Sequence, residues 1–349
     1  MKTVAYFSDF TDTLEAEKAW ALNIKTEMGA DRLVSIVSGN YLQNGFPSAE
    51  SADVRMQRAV DAGVDLALQA SLYASLSSIG IYAFSGCRIL EHLEKIDELV
   101  LETEDADEKT LVKIAYILIA NPKPFQDRIT KYKKEGRPFY EAQAKAIDDE
   151  IPGTESMMNR WYNIFAVECI KSLKVMYSSI RCVCVQRRQP VTGACRVSEA
   201  LSKYLQYQIT LSGEALSDIY GGYESLTDKM LACRSNYEDF VQYADLCAEG
   251  RRDVFDIRKY FLRVLTRMKK SIVSIWRLYD FSPYCLALVG CDSDVVLDEM
   301  GKKIKLLDKS VIHELSEEAL YDQGLNKSKQ ELLQLELKAD ILYQLQMEA

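Results

Sequence analysis

Histidine is almost absent. His92 and His313 are the only two in 349 residues, which leaves little basis for a multi-histidine metal centre or for catalysis by paired imidazoles. Long apolar runs are missing too: none approaches the roughly 18 residues that span a bilayer. No charged-then-apolar leader with a cleavage site opens the sequence, so a cytoplasmic location is expected, with no membrane partner. The nine cysteines, at 87, 169, 182, 184, 195, 233, 247, 285 and 291, are odd in number and scattered. Most lie in apolar surroundings, where free reduced thiols are the expected state. Only Cys182 and Cys184 are close, and a strand would point both to one face. They offer a metal two ligands, but no second pair or nearby histidine completes a site. Positive charge is also in deficit. A net charge of −9 argues against coating nucleic acid by bulk electrostatics.

What is present builds ordinary cores, since 48% of the residues are hydrophobic. Apolar runs at Val4–Phe7, Leu33–Val37, Val64–Leu68 and Glu98–Leu101 read as buried strands, separated by helical patterns over Thr13–Lys25, Asp53–Ala62 and Ser78–Leu93. His92 falls in the last of these. Glu108 to about Ile151 is helical with one break at Asn121-Pro122-Lys123-Pro124, Asn163–Ser172 is a helix, and Arg181–Val185 is a fifth strand. This alternation predicts an α/β fold, a Rossmann-like doubly wound parallel sheet. Beyond about residue 200 only helical periods are apparent. The expected division is therefore an α/β domain over 1–200 and an all-α C-terminal domain over 201–349, with an acidic tail.

Two stretches raise functional questions. Residues 10–20, FTDTLEAEKAW, lie at the first strand-to-helix junction, where an α/β nucleotide-binding enzyme handles phosphate, yet they contain neither glycine nor histidine. Asp9, Asp12, Glu15 and Glu17 form an acidic cluster there. Carboxylates at a helix N-terminus suit the macrodipole; at this density they also make Mg²⁺ or Ca²⁺ a candidate ion. The second stretch, 251–277, carries nine Lys/Arg against two Asp. In it Lys259, Arg263, Arg267 and Lys270 step by four, four and three residues, as a basic ridge on one helix would. Such a ridge is either a solvated helix face or a phosphate-contacting surface for RNA.

The segment GADRLVSIVSGNYLQNGFPSAESADVRMQRAVDAGVDLALQASLYA, residues 29–74, is more specific. It resembles the N-terminal domain of the bacterial tRNA(Met) cytidine acetate ligases, through Ser38-Gly39-Asn40, Gln43, Gly45, Pro47, Arg55 and Gly63-Val64-Asp65-Leu66. The likeness continues through 125–147, 162–173, the strand before Arg187, and 236–290, and so covers most of the chain. It implies a nucleotidyltransferase-type α/β domain with a helical extension. The family uses ATP to make acetyl-adenylate, releasing pyrophosphate, and then acetylates the wobble cytidine of elongator tRNA(Met). ATP is thus the expected cofactor and tRNA the expected partner, with a protein partner or a homo-oligomer as alternatives.

In the family, the first strand-to-helix turn carries a His-x-Gly-His motif whose imidazoles stabilise the phosphates. Aligned from Met1, the motif falls on Leu14, Ala16 and Glu17, so both histidines and the glycine are replaced, and Phe10 occupies a neighbouring nucleotide-facing position. Glu102-Thr103-Glu104 stands where the family has Gly-Ser-Glu. The family's Ser-x-x-Ile-Arg-like motif falls on 193–198, which puts Ser198 at its arginine and leaves Arg196 nearby. Ala52 and Asp53 replace a lysine and a tryptophan ahead of Arg55. By resemblance the nucleotide-facing set is Phe10, Ser38, Gly39, Asn40, Arg55, Glu102, Asn163 and Arg187. Read without the family, Asn163 is a helix-start amide and Arg187 a strand-end arginine. The combined expectation is a homologue with a degenerate motif and impaired ATP activation.

Overall fold

The computed structural model describes residues 1–9, 11–105, 107–188, 198–235, 238–248, 254–290, 303–312 and 324–348. Chain order begins β1 (Thr3–Phe7), α1 (Leu14–Met28), β2 (Arg32–Val37), α2 (Ala52–Asp61), β3 (Leu66–Gln69), α3 (Leu72–Ser75), α4 (Ile79–Leu93) and β4 (Glu98–Thr103). It continues with α5 (Glu108–Ala120), α6 (Lys123–Lys134), α7 (Phe139–Asp148), α8 (Trp161–Val175) and β5 (Arg181–Gln186). Then follow α9 (Glu199–Ser212), α10 (Glu224–Cys233), α11 (Phe240–Ala248), α12 (Val254–Leu265), α13 (Lys270–Leu278), β6 (Cys285–Val289) and β7 (Leu306–Asp308). The last described helix is Lys327–Glu348. No helix among the described residues is long and apolar enough to cross a membrane.

The strands form one sheet in the order β5-β4-β1-β2-β3-β6-β7. β1 to β5 are mutually parallel, as the alternation of elements predicts. Period-two alternation splits their side chains between two cores. Val4, Tyr6, Leu33, Val37 and Val100 pack against Ala21 and Ile24 of α1 and Met56 and Ala59 of α2. Ala5, Val34, Ile36, Leu99 and Leu101 face α4, α5 and α8 through Cys87, Leu90, Ile114, Cys169 and Ile170. The order in which strands are added reverses at β1: β2 and β3 extend the sheet one way, β4 and β5 the other. In such sheets the crevice beyond the carboxyl ends of the strands at the switch point takes the ligand.

Local chemistry sets the helix entries that frame this crevice. Thr13 caps α1, its hydroxyl accepting from the Ala16 amide, and Ser51 caps α2 by accepting from Val54. Gly86 of α4 allows a close approach to Phe7 of β1; a Cβ there would lie 2.6 Å from the Phe7 ring. Gly45, at φ +78°, lets the loop after β2 lie against α12, where a Cβ would come within 2.9 Å of the Lys259 nitrogen.

Two expectations are corrected. The stretch beyond residue 200 is not purely helical: β6 pairs antiparallel with β3, and β7 parallel with β6, so both extend the sheet begun by the N-terminal strands. The basic stretch is not one helix. It breaks between α12 and α13, with Arg267 at φ +54°, so the four cations do not share a ridge. Lys259 and Arg263 are buried, Lys259 Nζ donating to the Ser77 carbonyl and Arg263 to those of Leu76 and Tyr220. Only Arg267 and Lys270 of the four are exposed.

Candidate functional site

A cavity of about 700 Å³ opens at the switch point, beyond the carboxyl ends of β1, β2, β4 and β5. Phe7 and Ser8 supply its floor from β1, Ser38 enters from the end of β2, and Glu102 from β4. Leu42, Gln43 and Asn44 close one side, on a loop fixed by Gln43, whose Nε2 donates to the Ala74 and Ser75 carbonyls at 2.9 and 2.8 Å. Opposite is an aromatic wall. Phe165 stacks on Trp161 with centroids 5.2 Å apart and meets Phe7 edge-on at 4.9 Å. Tyr82 shares a hydrogen bond of 3.0 Å with Ser38 Oγ, and burial, then the Asp9 charge, hold its phenol above the ordinary range. It is therefore a neutral hydroxyl at working pH.

The electrostatic centre of the cavity is Arg188, two residues beyond β5. Its Nη1 donates to Glu17 Oε2 at 2.9 Å, while Nε and Nη2 reach Glu102 Oε1 at 3.3 and 3.2 Å. Its backbone amide donates to Glu102 Oε2, and Nη2 also reaches Ser8 Oγ. Its guanidinium lies 4.7 Å from the centre of the Trp20 ring. Burial by itself would lower the Arg188 pKa, but Glu102 and Glu17 outweigh it and hold the group above its usual value. The trio is thus a fixed unit of two carboxylates and one guanidinium, net −1.

The other cations lining the cavity also have carboxylate partners. Arg187 sits 3.9 Å from the Tyr162 ring centre, with Nη1 3.8 Å from Glu104. Lys259 Nζ is 3.1 Å from Asp256. Asp9, Asp12 and Glu141 line the cavity as well, so its described charged lining is five carboxylates against three cations. The acidic residues of the first turn do not converge: Asp12 Oδ1 accepts from the Thr13 amide, Glu15 is exposed and Glu17 turns to Arg188. Among the described residues no three His, Cys, Asp or Glu side chains come together in a metal-holding group.

Of the residues expected to face a nucleotide, Ser38, Glu102 and Arg187 line the cavity, as does Glu17. Four others are not in its lining and are held by hydrogen bonds within the fold. Arg55, fully buried, donates to the carbonyls of Asp9, Ser38, Gly39 and Glu50, tying together the loops after β1 and β2. Gly39 contributes one of those carbonyls. Asn40 links the Ala52 amide at the start of α2 to Asp340 of the last helix. Asn163 accepts from the Glu104 amide and donates to Asp105 and the Met157 carbonyl, which locks the end of β4 to α8. Leu14 packs beside the α1–α2 core, and Ala16 lies in the first turn of α1 with its amide on the Thr13 cap. Phe10 and Arg196 lie outside the described residues, whereas Ser198 caps the start of α9 by accepting from the Leu201 amide. Arg188 and Trp161 are not among the residues expected from the sequence. Alternation along β5 is the one signal for Arg188, since it sends consecutive arginines to opposite faces.

A family model described as HIGH Nucleotidyl Transferase matches residues 20–194, half of the chain. The chain is similar to a tRNA(Met) cytidine acetate ligase of Clostridium perfringens, 30% identical over 240 residues, which are 66% of this chain and 57% of that protein. A Thermoanaerobacter protein of the same name is 30% identical over 160 residues, 45% of this chain and 40% of that one. The matched region thus spans little more than half the length of these curated relatives at most. A crystal structure of Thermotoga maritima TmcAL bound with alpha-thio ATP superposes with a TM-score of 0.86 over all of this chain and 95% of that one, at 18% identity. An apo form of the same protein gives 0.84. At that identity the likeness establishes the fold. With a mostly parallel sheet, a crevice at its switch point and a model match over half its length, the chain belongs to the HIGH nucleotidyl transferase family.

Proposed function

We propose that this chain is a tRNA(Met) cytidine acetate ligase-like protein in which activation of acetate by ATP is lost or strongly impaired, and that its scaffold acts in binding. One observation carries the reading: Glu17 and Glu102, clamped by Arg188, stand at the switch point where an adenylyl transfer needs donors to phosphate. A carboxylate about 4 Å from a phosphate charge costs roughly 4 kcal/mol at an effective dielectric near 20. Each preorganised transition-state donor that is missing costs about 10²–10³ in rate, and both motif histidines are replaced. The cytoplasm and an RNA partner are the setting this reading implies. Incubating the pure protein with ATP, acetate and tRNA tests it: pyrophosphate release and acetylcytidine should stay at background. Turnover at the rate of a ligase that keeps its histidines overturns it.

Arg188 favours a second reading, an active enzyme with a rearranged site, because a cationic guanidinium does sit at the switch point. That reading requires Arg188 to leave its carboxylates for phosphate. It predicts pyrophosphate release that disappears in Arg188→Ala.

A further inference from the structure

Two of the four cations expected to meet RNA, Lys259 and Arg263, are withdrawn into the core, and a different basic surface stands beside the cavity. Residues 123–137, α6 and the turn after it, carry six Lys/Arg against two Asp/Glu in a chain of net charge −9. Lys131, Lys133 and Lys134 are exposed at the end of α6. A helix C-terminus favours lysines, which accounts for their presence but not for what surrounds them. Lys133 and Lys134 make no described ion pair, unlike Lys123, Arg128 and Lys131 on the same helix, the last lying 4.0 Å from Glu135. Aromatic rings are interleaved with the charges. Lys131 Nζ and the Arg137 guanidinium lie 5.4 and 5.9 Å from the Tyr132 ring centre, and Lys133 Nζ lies 5.9 Å from that of Phe139. Phe139 is 48% exposed, so its ring face is open to a partner.

Position gives this surface its meaning. Gly136, at φ +96°, turns the chain sharply between α6 and α7, so that Phe139 begins α7 beside the lysines. The next residue, Tyr140, meets Phe139 edge-on at 5.5 Å and itself lines the cavity. Trp161, 41% exposed, lines the cavity too. A strip of cation, ring and ring therefore runs from open surface to the cavity mouth.

We propose that the α6–α7 turn is an RNA-docking edge, in which Lys133, Lys134 and Lys131 contact backbone phosphates and Phe139 stacks an unpaired base near the cavity mouth. Phosphate charge and base stacking together are what this pairing of groups recognises. An acidic protein would use the lysines but leave the exposed ring without a partner. The inference rests on the binding role proposed above only for its biology; RNA binding is measured without ATP or acetate, so its failure is distinct from any result on pyrophosphate release.

Fluorescence anisotropy with unfractionated tRNA and with a labelled single-stranded RNA, in low and in moderate salt, tests it. The full chain should bind both. Lys133→Glu/Lys134→Glu should weaken binding at least about tenfold, with a shallower salt dependence, by roughly 0.7–0.9 in log–log slope for each phosphate no longer neutralised. Phe139→Ala should weaken it with an unchanged slope. Lys109→Glu/Lys113→Glu, exposed on α5, should weaken it less than threefold. Absence of RNA binding at low salt overturns the proposal, as do an equal loss in the Lys109/Lys113 variant, full binding by the Lys133/Lys134 variant, or competition by polyglutamate as effective as by RNA. Unfolding midpoints equal to the parent's establish that each variant is folded.

Discussion

Arg188 Nη1 lies 2.9 Å from Glu17 Oε2, a contact that joins the end of the fifth strand to the first turn of α1 across 171 residues of sequence. Glu17 is almost wholly buried, and the same guanidinium holds Glu102. Glu17, which the resemblance sets against a motif histidine, is thus held in a trio of two carboxylates and one guanidinium that keeps a net charge of −1.

Removing Arg188 should expose how much the fold depends on it. In Arg188→Ala, Glu17 and Glu102 face each other without a counter-charge. Breaking a fully buried pair costs about 3–5 kcal/mol; because Arg188 is partly solvated, a loss of about 1–3 kcal/mol is expected in urea unfolding. Adding Glu17→Gln and Glu102→Gln to that variant should recover most of it.

Arg55 predicts a purely structural phenotype. Its guanidinium serves four carbonyls at once, a geometry a lysine ammonium cannot copy. Arg55→Lys should cost about 2–4 kcal/mol in the same measurement, through buried carbonyls left unpaired. Its RNA binding, measured below the unfolding transition, should match the parent's.

Glu336 of the last helix predicts a pH dependence. Burial, then the neighbouring Asp340 charge, push its carboxyl up to about 8, with Lys309 opposing them. An acid whose folded pKa is raised binds its proton more tightly in the folded state. Its contribution is complete below the unfolded value, about 4.5, and is lost as pH rises through about 8. Thermal midpoints should therefore fall between those limits. Glu336→Gln should flatten that fall and be more stable than the parent above it; an identical pH profile in the variant contradicts the assignment.

How much is legible in the sequence follows from the range of the interactions. β1 to β5 and their intervening helices are readable because period and capping are local: Thr13 and Ser51 act on residues three positions away. β6 is not, because Cys285–Val289 is a short apolar run whose partner, β3, lies more than 200 residues earlier. The turn at Arg267 carries neither glycine nor proline, so nothing local marks the end of α12. Within the site, Glu17 and Glu102 are visible as anomalies against the family pattern. Their partner is not, since Arg187 and Arg188 differ only in which face of the strand end each one takes. Lys259 and Arg263 show the converse error. Their spacing suggests a surface ridge, whereas their charges satisfy carbonyls in the interior.

The proposed loss of ATP activation requires that Glu17 and Glu102 repel a triphosphate at the switch-point cavity. Calorimetric titration of ATP into the parent and into Glu17→Gln/Glu102→Gln tests it most directly, because the variant changes the Arg188 trio from net −1 to net +1. The expected result is no saturable heat for the parent up to about 1 mM ATP and at least about tenfold tighter binding by the variant. Micromolar binding by the parent, or equal affinity in both, would contradict it.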